Sequence, residues 1–298
     1  MIRRRSFLRG ALAAGFGVPA LAGLYAWQVE PHWLELVERP LPIPHLPDGL
    51  ERLTLAQLSD LHVGRVDPGY LRSVFRRVAD RNPDLVVITG DFISIGEPDP
   101  FRALRLLLED LPRGRLGTFG ILGNHDYGEG WRQLDVANRV SAAAAEAGVR
   151  VLRNEVAEVE GLQVAGLDDL WSGRFSTDVL GTLDADRPML ALCHNPDGVD
   201  RPGWDGFQGW ILAGHTHGGQ CRPPFLPPPV LPVRNRRYAA GEIAVDPSRR
   251  LYVNRGVGHL LKVRFNCRPE ATIFRLSRAL ILPGPDPSLV PTIGPIGA

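Results

Sequence analysis

Lysine is almost absent: Lys262 is the only one in 298 residues, so positive charge is carried by arginine, and the formal net charge is +1. No long Lys/Arg run occurs, which argues against a dedicated nucleic-acid surface. Cysteine is scarce too. Cys193, Cys221 and Cys267 are an odd number without CxxC spacing, which excludes a thiolate zinc site or a disulfide framework and leaves the reading of small buried hydrophobes. Beyond the first 27 residues no run is apolar and long enough to cross a bilayer. What is present is 44% hydrophobic residues, enough for one large core or two modest ones in a globular chain.

The N-terminal segment carries its own pattern. Arg3-Arg4-Arg5-Ser6-Phe7-Leu8-Arg9 precedes a weakly hydrophobic, Gly/Ala-rich run over 10–27, the arrangement of a twin-arginine export signal with Arg4 and Arg5 as its pair. Ala20-Leu21-Ala22 offers a cleavage site, and an uncleaved membrane anchor is the alternative. The expected organisation is a signal or anchor over 1–27, a proline-rich linker over 28–50, a folded domain over 51–280 and a disordered Pro/Gly-rich tail over 281–298.

Within the domain, apolar strands alternate with amphipathic helices, an α/β pattern. A strand over 53–58 ends at Ser59-Asp60-Leu61-His62. Leu71, Val74, Phe75 and Val78 then mark a helix stripe that stops at Asn82-Pro83. The all-apolar 85–88 reads as a strand covered on both faces and ends at Thr89-Gly90-Asp91. A helix opens at Asp99-Pro100. A strand over 117–122 leads to Gly123-Asn124-His125-Asp126, and a helix is expected over 131–147. Strands over 149–152, 162–167, 189–193 and 210–213 follow. The last two end at His194 and at Gly214-His215-Thr216-His217.

On an extended segment, two histidines one residue apart project to one side and can share a metal. Taken singly, each of these polar residues reads as a turn residue. Together they gather five of the eight histidines, with Asp and Asn, beyond strand ends, where open α/β sheets bind ligands. That donor mixture suits Mn, Fe or Zn.

The ordered set Asp60-x-His62, Gly90-Asp91, Gly123-Asn124-His125-Asp126, His194 and Gly214-His215-x-His217 resembles the five blocks of the calcineurin-like metallophosphoesterases. The tail, with Leu251-Tyr252-Val253-Asn254-Arg255-Gly256, Val263-Arg264-Phe265 and Arg268-Pro269-Glu270, is similar to the bacterial branch of YkuE- and YaeI-type phosphodiesterases. The resemblance implies a two-sheet β-sandwich flanked by helices with a dimetal site at the strand C-terminal ends. It implies that Asp60, His62 and His217 hold one divalent ion (Mn, Fe or Zn), that Asn124, His194 and His215 hold a second, and that Asp91 bridges them. His125 would face the substrate, with Asp126 orienting its ring. The implied reaction is hydrolysis of a phosphodiester or phosphomonoester by an activated water. The resemblance extends to hydrolases of lipid-linked sugar nucleotides, and a metal-free scaffold is the opposing reading.

Export points to envelope substrates. The stretch from Arg222 through Phe225, Leu226 and Leu231 to Arg234, Arg236 and Arg237 is too proline-rich for a strand or helix interior. It reads as a stiff surface loop beside the site, and the functional alternative is an apolar lip of Phe225, Leu226 and Leu231 that meets a lipid or membrane, with Arg234, Arg236 and Arg237 meeting its phosphates.

Overall fold

The computed structural model describes residues 17–94, 99–279 and 282. The twin-arginine motif and nearly all of the C-terminal tail lie outside them. Two six-stranded sheets form the body. The first runs β1(Glu35–Pro44), β12(Glu270–Ala279), β2(Thr54–Leu58), β3(Leu85–Thr89), β4(Gly117–Ile121), β5(Arg150–Val151). The second runs β10(Gly241–Ala244), β11(Arg249–Val253), β9(Gly209–Ala213), β8(Met189–Leu192), β7(Leu162–Gly166), β6(Glu155–Val159). The central pairs β2–β3–β4–β5 and β7–β8–β9–β11 are all parallel. Their carboxyl ends therefore gather at one rim.

Side-chain alternation explains why these strands are apolar throughout. Leu85 and Val87 point into the core between the sheets, where they meet Leu190, Leu192, Trp210 and Leu212. Val86 and Ile88, their neighbours in the chain, point to the opposite face and pack under α1(Pro68–Ala79), α2(Pro100–Leu108) and α3(Leu134–Glu146). The outer face of the second sheet is covered by Trp204, Phe207, Tyr238 and Leu180 from loops and short turns. Both α1 and α2 begin at a proline preceded by an aspartate whose carboxylate caps the first turn. The helix expected over 131–147 starts at Leu134 instead, because Gly130 and Trp131 hold left-handed backbone that interrupts it.

One boundary needs correction. The linker expected over 28–50 contains β1, ten residues paired in parallel along the whole of β12. Leu41, Ile43, Leu46 and Leu50 are buried in the inter-sheet core. Pro40, Pro42 and Pro44 fall at alternate positions of this edge strand, so their missing N–H groups lie on its outer side, where a β-ladder does not need them. The Pro42 carbonyl, turned outward in this way, accepts the Trp210 Nε1–H at 2.8 Å.

Candidate metal centre

Five chain segments leave the parallel strands at the same rim. Asp60, Asp91, His194 and His215 each stand two residues past their strands β2, β3, β8 and β9, and Asn124 stands three past β4. Two groups result, Asp60–His62–His217 and Asp91–His194–His215, each with donor atoms within 4.8 Å of one another and all buried. His62 Nε2 faces His217 Nε2 at 3.0 Å. His217 Nε2 lies 3.3 Å from Asp60 Oδ1. Asp91 Oδ2 reaches both groups, 3.7 Å from His62 Nε2 and 3.3 Å from His194 Nε2. The histidine pair of Gly214-His215-Thr216-His217 is thus divided between the groups. The extended geometry expected for it is corrected: His215 and His217 have φ of 71° and 50°, and Thr216 is helical.

Asp60, His62 and Asp91 share that left-handed backbone, with φ of 56°, 47° and 56°. Asp and His are among the side chains that tolerate it best. The tight reversals it produces aim consecutive loop residues inward. Gly123 and Gly214 leave room for this crowding: a Cβ on Gly123 would strike Asp91 and His194, and one on Gly214 would strike Ser59 and Asp60.

Several observations fit these residues to cations. His194 Nδ1–H donates to the Thr89 carbonyl at 2.7 Å, which leaves Nε2 open toward Asp91. His215 Nε2–H donates to the Pro232 carbonyl at 2.9 Å, which leaves Nδ1. His62 Nδ1 pairs with Ser94 Oγ at 2.8 Å. Such outer hydrogen bonds are the usual means of fixing a ligating imidazole. The buried Asn124 amide has neither its oxygen nor its nitrogen paired, and His194 Nε2 and His217 Nδ1 are also unsatisfied.

Burial pushes His62 and His215 down to about 3 and His217 well below its ordinary range, so all three present neutral nitrogen lone pairs. Burial opposes charge on His194 as well, yet Asp91 beside it, with Asp60 and Asp169, pushes it up to about 10. Burial also raises Asp60 to about 6. Burial works the same way on Asp91, but the imidazoles of His194, His125 and His62 outweigh it and hold that carboxyl well below the usual range. Buried carboxylates around neutral imidazoles draw positive charge to this rim, and the nitrogen and oxygen donors suit borderline divalent metals.

His125 belongs to neither group. Half-buried, it stands edge-on to His62 with ring centroids 5.1 Å apart and gives its backbone N–H to Asp91 Oδ1. Asp126 does not orient that ring, which corrects the expectation: its oxygens accept the backbone N–H groups of Ile93 (3.1 Å) and Gly123 (2.9 Å). It ties the β3 loop to the β4 loop.

Several neighbours carried no sequence motif. Asp169 is buried with Oδ2 unpaired. Trp171 stands edge-on to His215 at 4.4 Å and stacks on Trp131 at 4.7 Å, and Trp131 lies 6.4 Å from His125. Aromatic residues far apart in the chain announce no shared site until the fold brings their loops together. The tail motif buttresses the site from behind. Val257 and Gly258 donate backbone N–H to the Ser59 and Asp60 carbonyls, and the buried Arg264 guanidinium caps the carbonyls of Arg255, Gly256, Gly258 and Cys267.

Residues 53–219 match the calcineurin-like phosphoesterase family. The chain is 33% identical to phosphodiesterase YaeI of Escherichia coli, over 93% of this chain and all of that one. It is 33% identical to the metallophosphoesterase YkuE of Bacillus subtilis, over 92% and 97%. It is 27% identical to the UDP-2,3-diacylglucosamine pyrophosphatase LpxG of Chlamydia muridarum, over 89% and 96%. With both ligand groups of the motif converging at one rim, this chain belongs to the calcineurin-like phosphoesterase family and is a metal-dependent phosphoester hydrolase.

Proposed function

We propose that the protein is a two-metal phosphodiesterase of the cell envelope acting on a diester or pyrophosphate diester carried by a lipid. The observation that carries the reading is the pair of three-residue ligand groups joined through Asp91 Oδ2. Asp60, His62 and His217 would hold one divalent cation, and Asn124, His194 and His215 the other, with Asp91 shared; Mn, Fe and Zn all suit these donors. When bound, the pair supplies Lewis-acid polarisation of the phosphoryl group and a water acidified enough to act as nucleophile.

The chain's own residues do the rest. Asp91 holds the backbone of His125 through its other oxygen, so the ring's place at the mouth is set by the same carboxylate that joins the two groups. From there His125 donates a hydrogen bond to the phosphoryl oxygens and returns a proton to the departing alkoxide. The carbonyls of Thr89 and Pro232 keep His194 and His215 in one tautomer each.

The lipid and envelope parts of the reading rest on three supports. The first is the twin-arginine pattern. The second is exposed apolar side chains on joined segments beside the centre: Phe225, Leu226 and Val230, then Leu261 and Val263, then Trp27 and Val29. The third is the likeness to LpxG, whose name carries a lipid-linked nucleotide. No helix among the described residues is long and apolar enough to cross a membrane.

The test is hydrolysis of bis(p-nitrophenyl) phosphate against p-nitrophenyl phosphate by the full-length chain, with Mn and after chelation. The reading expects diester cleavage that chelation removes, Mn restores and Asp91→Asn abolishes. Preference for the monoester, or a rate indifferent to Asp91, would overturn it.

A further inference from the structure

We propose that Trp131 and Trp171 form a platform for a ring on the substrate, so that the natural substrates carry a nucleobase or sugar ring on the phosphoester beside the reacting phosphorus. The proposal rests on the hydrolase reading and specifies its substrate class. The two indoles stack on each other at 4.7 Å with planes 31° apart. Each also meets the centre, Trp171 through His215 and Trp131 across from His125. In front of them lies a shallow, open surface groove lined by Gly130, Trp131, Arg132, Leu170 and Trp171.

Trp131 is unlike the tryptophans of the core. Trp204 and Trp210 are 5% and 2% exposed, whereas Trp131 is 37% exposed. Its backbone is left-handed at φ 59°, directly after Gly130 at φ 66°. A large aromatic residue adopts that conformation only where its surroundings impose it, and such positions cluster at ligand sites. Here the turn is imposed by hydrogen bonds from Trp131 N–H to the Gly128 carbonyl and from Gln133 N–H to the Tyr127 carbonyl. Those bonds hold an exposed indole 6.4 Å from His125, which stands at the rim outside both ligand groups.

An indole face recognises any flat ring, whether the π-face of a base or the C–H face of a pyranose, without reading its edge. The Arg132 guanidinium on the same wall adds a donor for phosphate or ring oxygens. A flexible acyl chain needs only an apolar wall and gains little from a held plane.

The test compares p-nitrophenyl phosphodiesters that share one leaving group and differ in the retained ester: methyl, n-octyl, thymidine 5′ and glucose 1. The full-length Mn-loaded chain is expected to prefer one of the ring esters over the methyl ester by tenfold or more in kcat/KM. Trp131→Ala should cut that ratio at least fivefold, mainly through KM, and Trp131→Phe should restore most of it. Thymidine 5′-monophosphate, or glucose 1-phosphate if the sugar ester is preferred, should quench indole fluorescence saturably where inorganic phosphate does not. No ring preference, a ratio untouched by Trp131→Ala, or preference for the octyl ester would overturn the platform. Cleavage of the methyl ester that depends on Asp91 would in each case leave the phosphodiesterase reading standing.

Discussion

Replacing His125 with alanine should leave both ligand groups loaded, because His125 contributes to neither, while turnover falls by about 10²- to 10⁴-fold, the usual worth of a positioned acid–base group. Metal content by elemental analysis and kcat on a chromogenic diester check the two halves together; a near-normal rate would remove His125 from the reaction. The ligand residue types were legible in the sequence since a strand buried on both faces has an unbroken apolar run, and the first polar residues past it stand out. Backbone hand was not legible. The alternation expected for His215 and His217 assumes extended chain, and nothing in the residue names distinguishes that from the left-handed turn that sends them to different groups. Asp126 misled for a related reason, since a carboxylate next to a histidine in sequence can just as well serve backbone N–H groups.

At the level of elements, the N-terminal segment is joined to the centre by a chain of contacts. The buried Glu30 carboxylate accepts the backbone N–H groups of Asn266 and Cys267, and the Ala26 carbonyl accepts the N–H of Arg264. Phe265 in turn pairs with Gln220 and Arg222, directly after the His217 turn. Glu30→Ala would leave the buried Cys267 N–H without an acceptor, at a cost of about 1–3 kcal/mol, and free the part-buried Asn266 N–H to water. Amide exchange over 264–267 should accelerate and metal retention should weaken, and an unchanged exchange pattern would show that the segment is merely attached. This connection escaped sequence reading, as did β1. A run such as Pro40-Leu41-Pro42-Ile43-Pro44 looks like a connector until it is placed on an edge, where alternate prolines leave the paired N–H groups intact and block further strand addition.

Across the whole molecule, exposed apolar side chains gather on the segments joined to the His217 turn, while Leu106, Trp131 and Leu134 are exposed elsewhere. Phe225 is fully exposed and Leu226 is 65% exposed, while Leu231, expected in the same lip, is half-buried. Arg236 and Arg237 are partly engaged inside the loop region, donating to the Pro228 and Ala244 carbonyls. If the lip meets lipid, Phe225→Ser with Leu226→Ser should lower hydrolysis of a vesicle-borne diester by about tenfold or more, since each side chain can contribute about 1.5–3 kcal/mol on burial. The effect on a soluble chromogenic diester should be far smaller, and equal losses on both would contradict a lipid-facing role. The same loop reaches the chemistry through its last proline, whose carbonyl holds His215.

The left-handed ligand residues also bear on how much of this protein a cell can keep. Asparagine is at home in that backbone region, and at Asp60 it would remove one of the buried acids, with Asp91, Asp126 and Asp169, that crowd the same rim. Asp60→Asn should therefore lower the thermal midpoint in the presence of Mn, where it exchanges an anionic ligand for a weaker neutral one, and raise it in chelator, where it relieves repulsion; calorimetry in the two buffers reads the reversal, and a change of the same sign in both would refute it. A fold whose centre is comfortable only around cations draws stability from them by mass action, about 4 kcal/mol when free metal is a thousandfold above its dissociation constant. Under metal starvation the loss would reach beyond idle active sites to unfolding and proteolysis, so that divalent supply sets the standing amount of the protein as well as its rate.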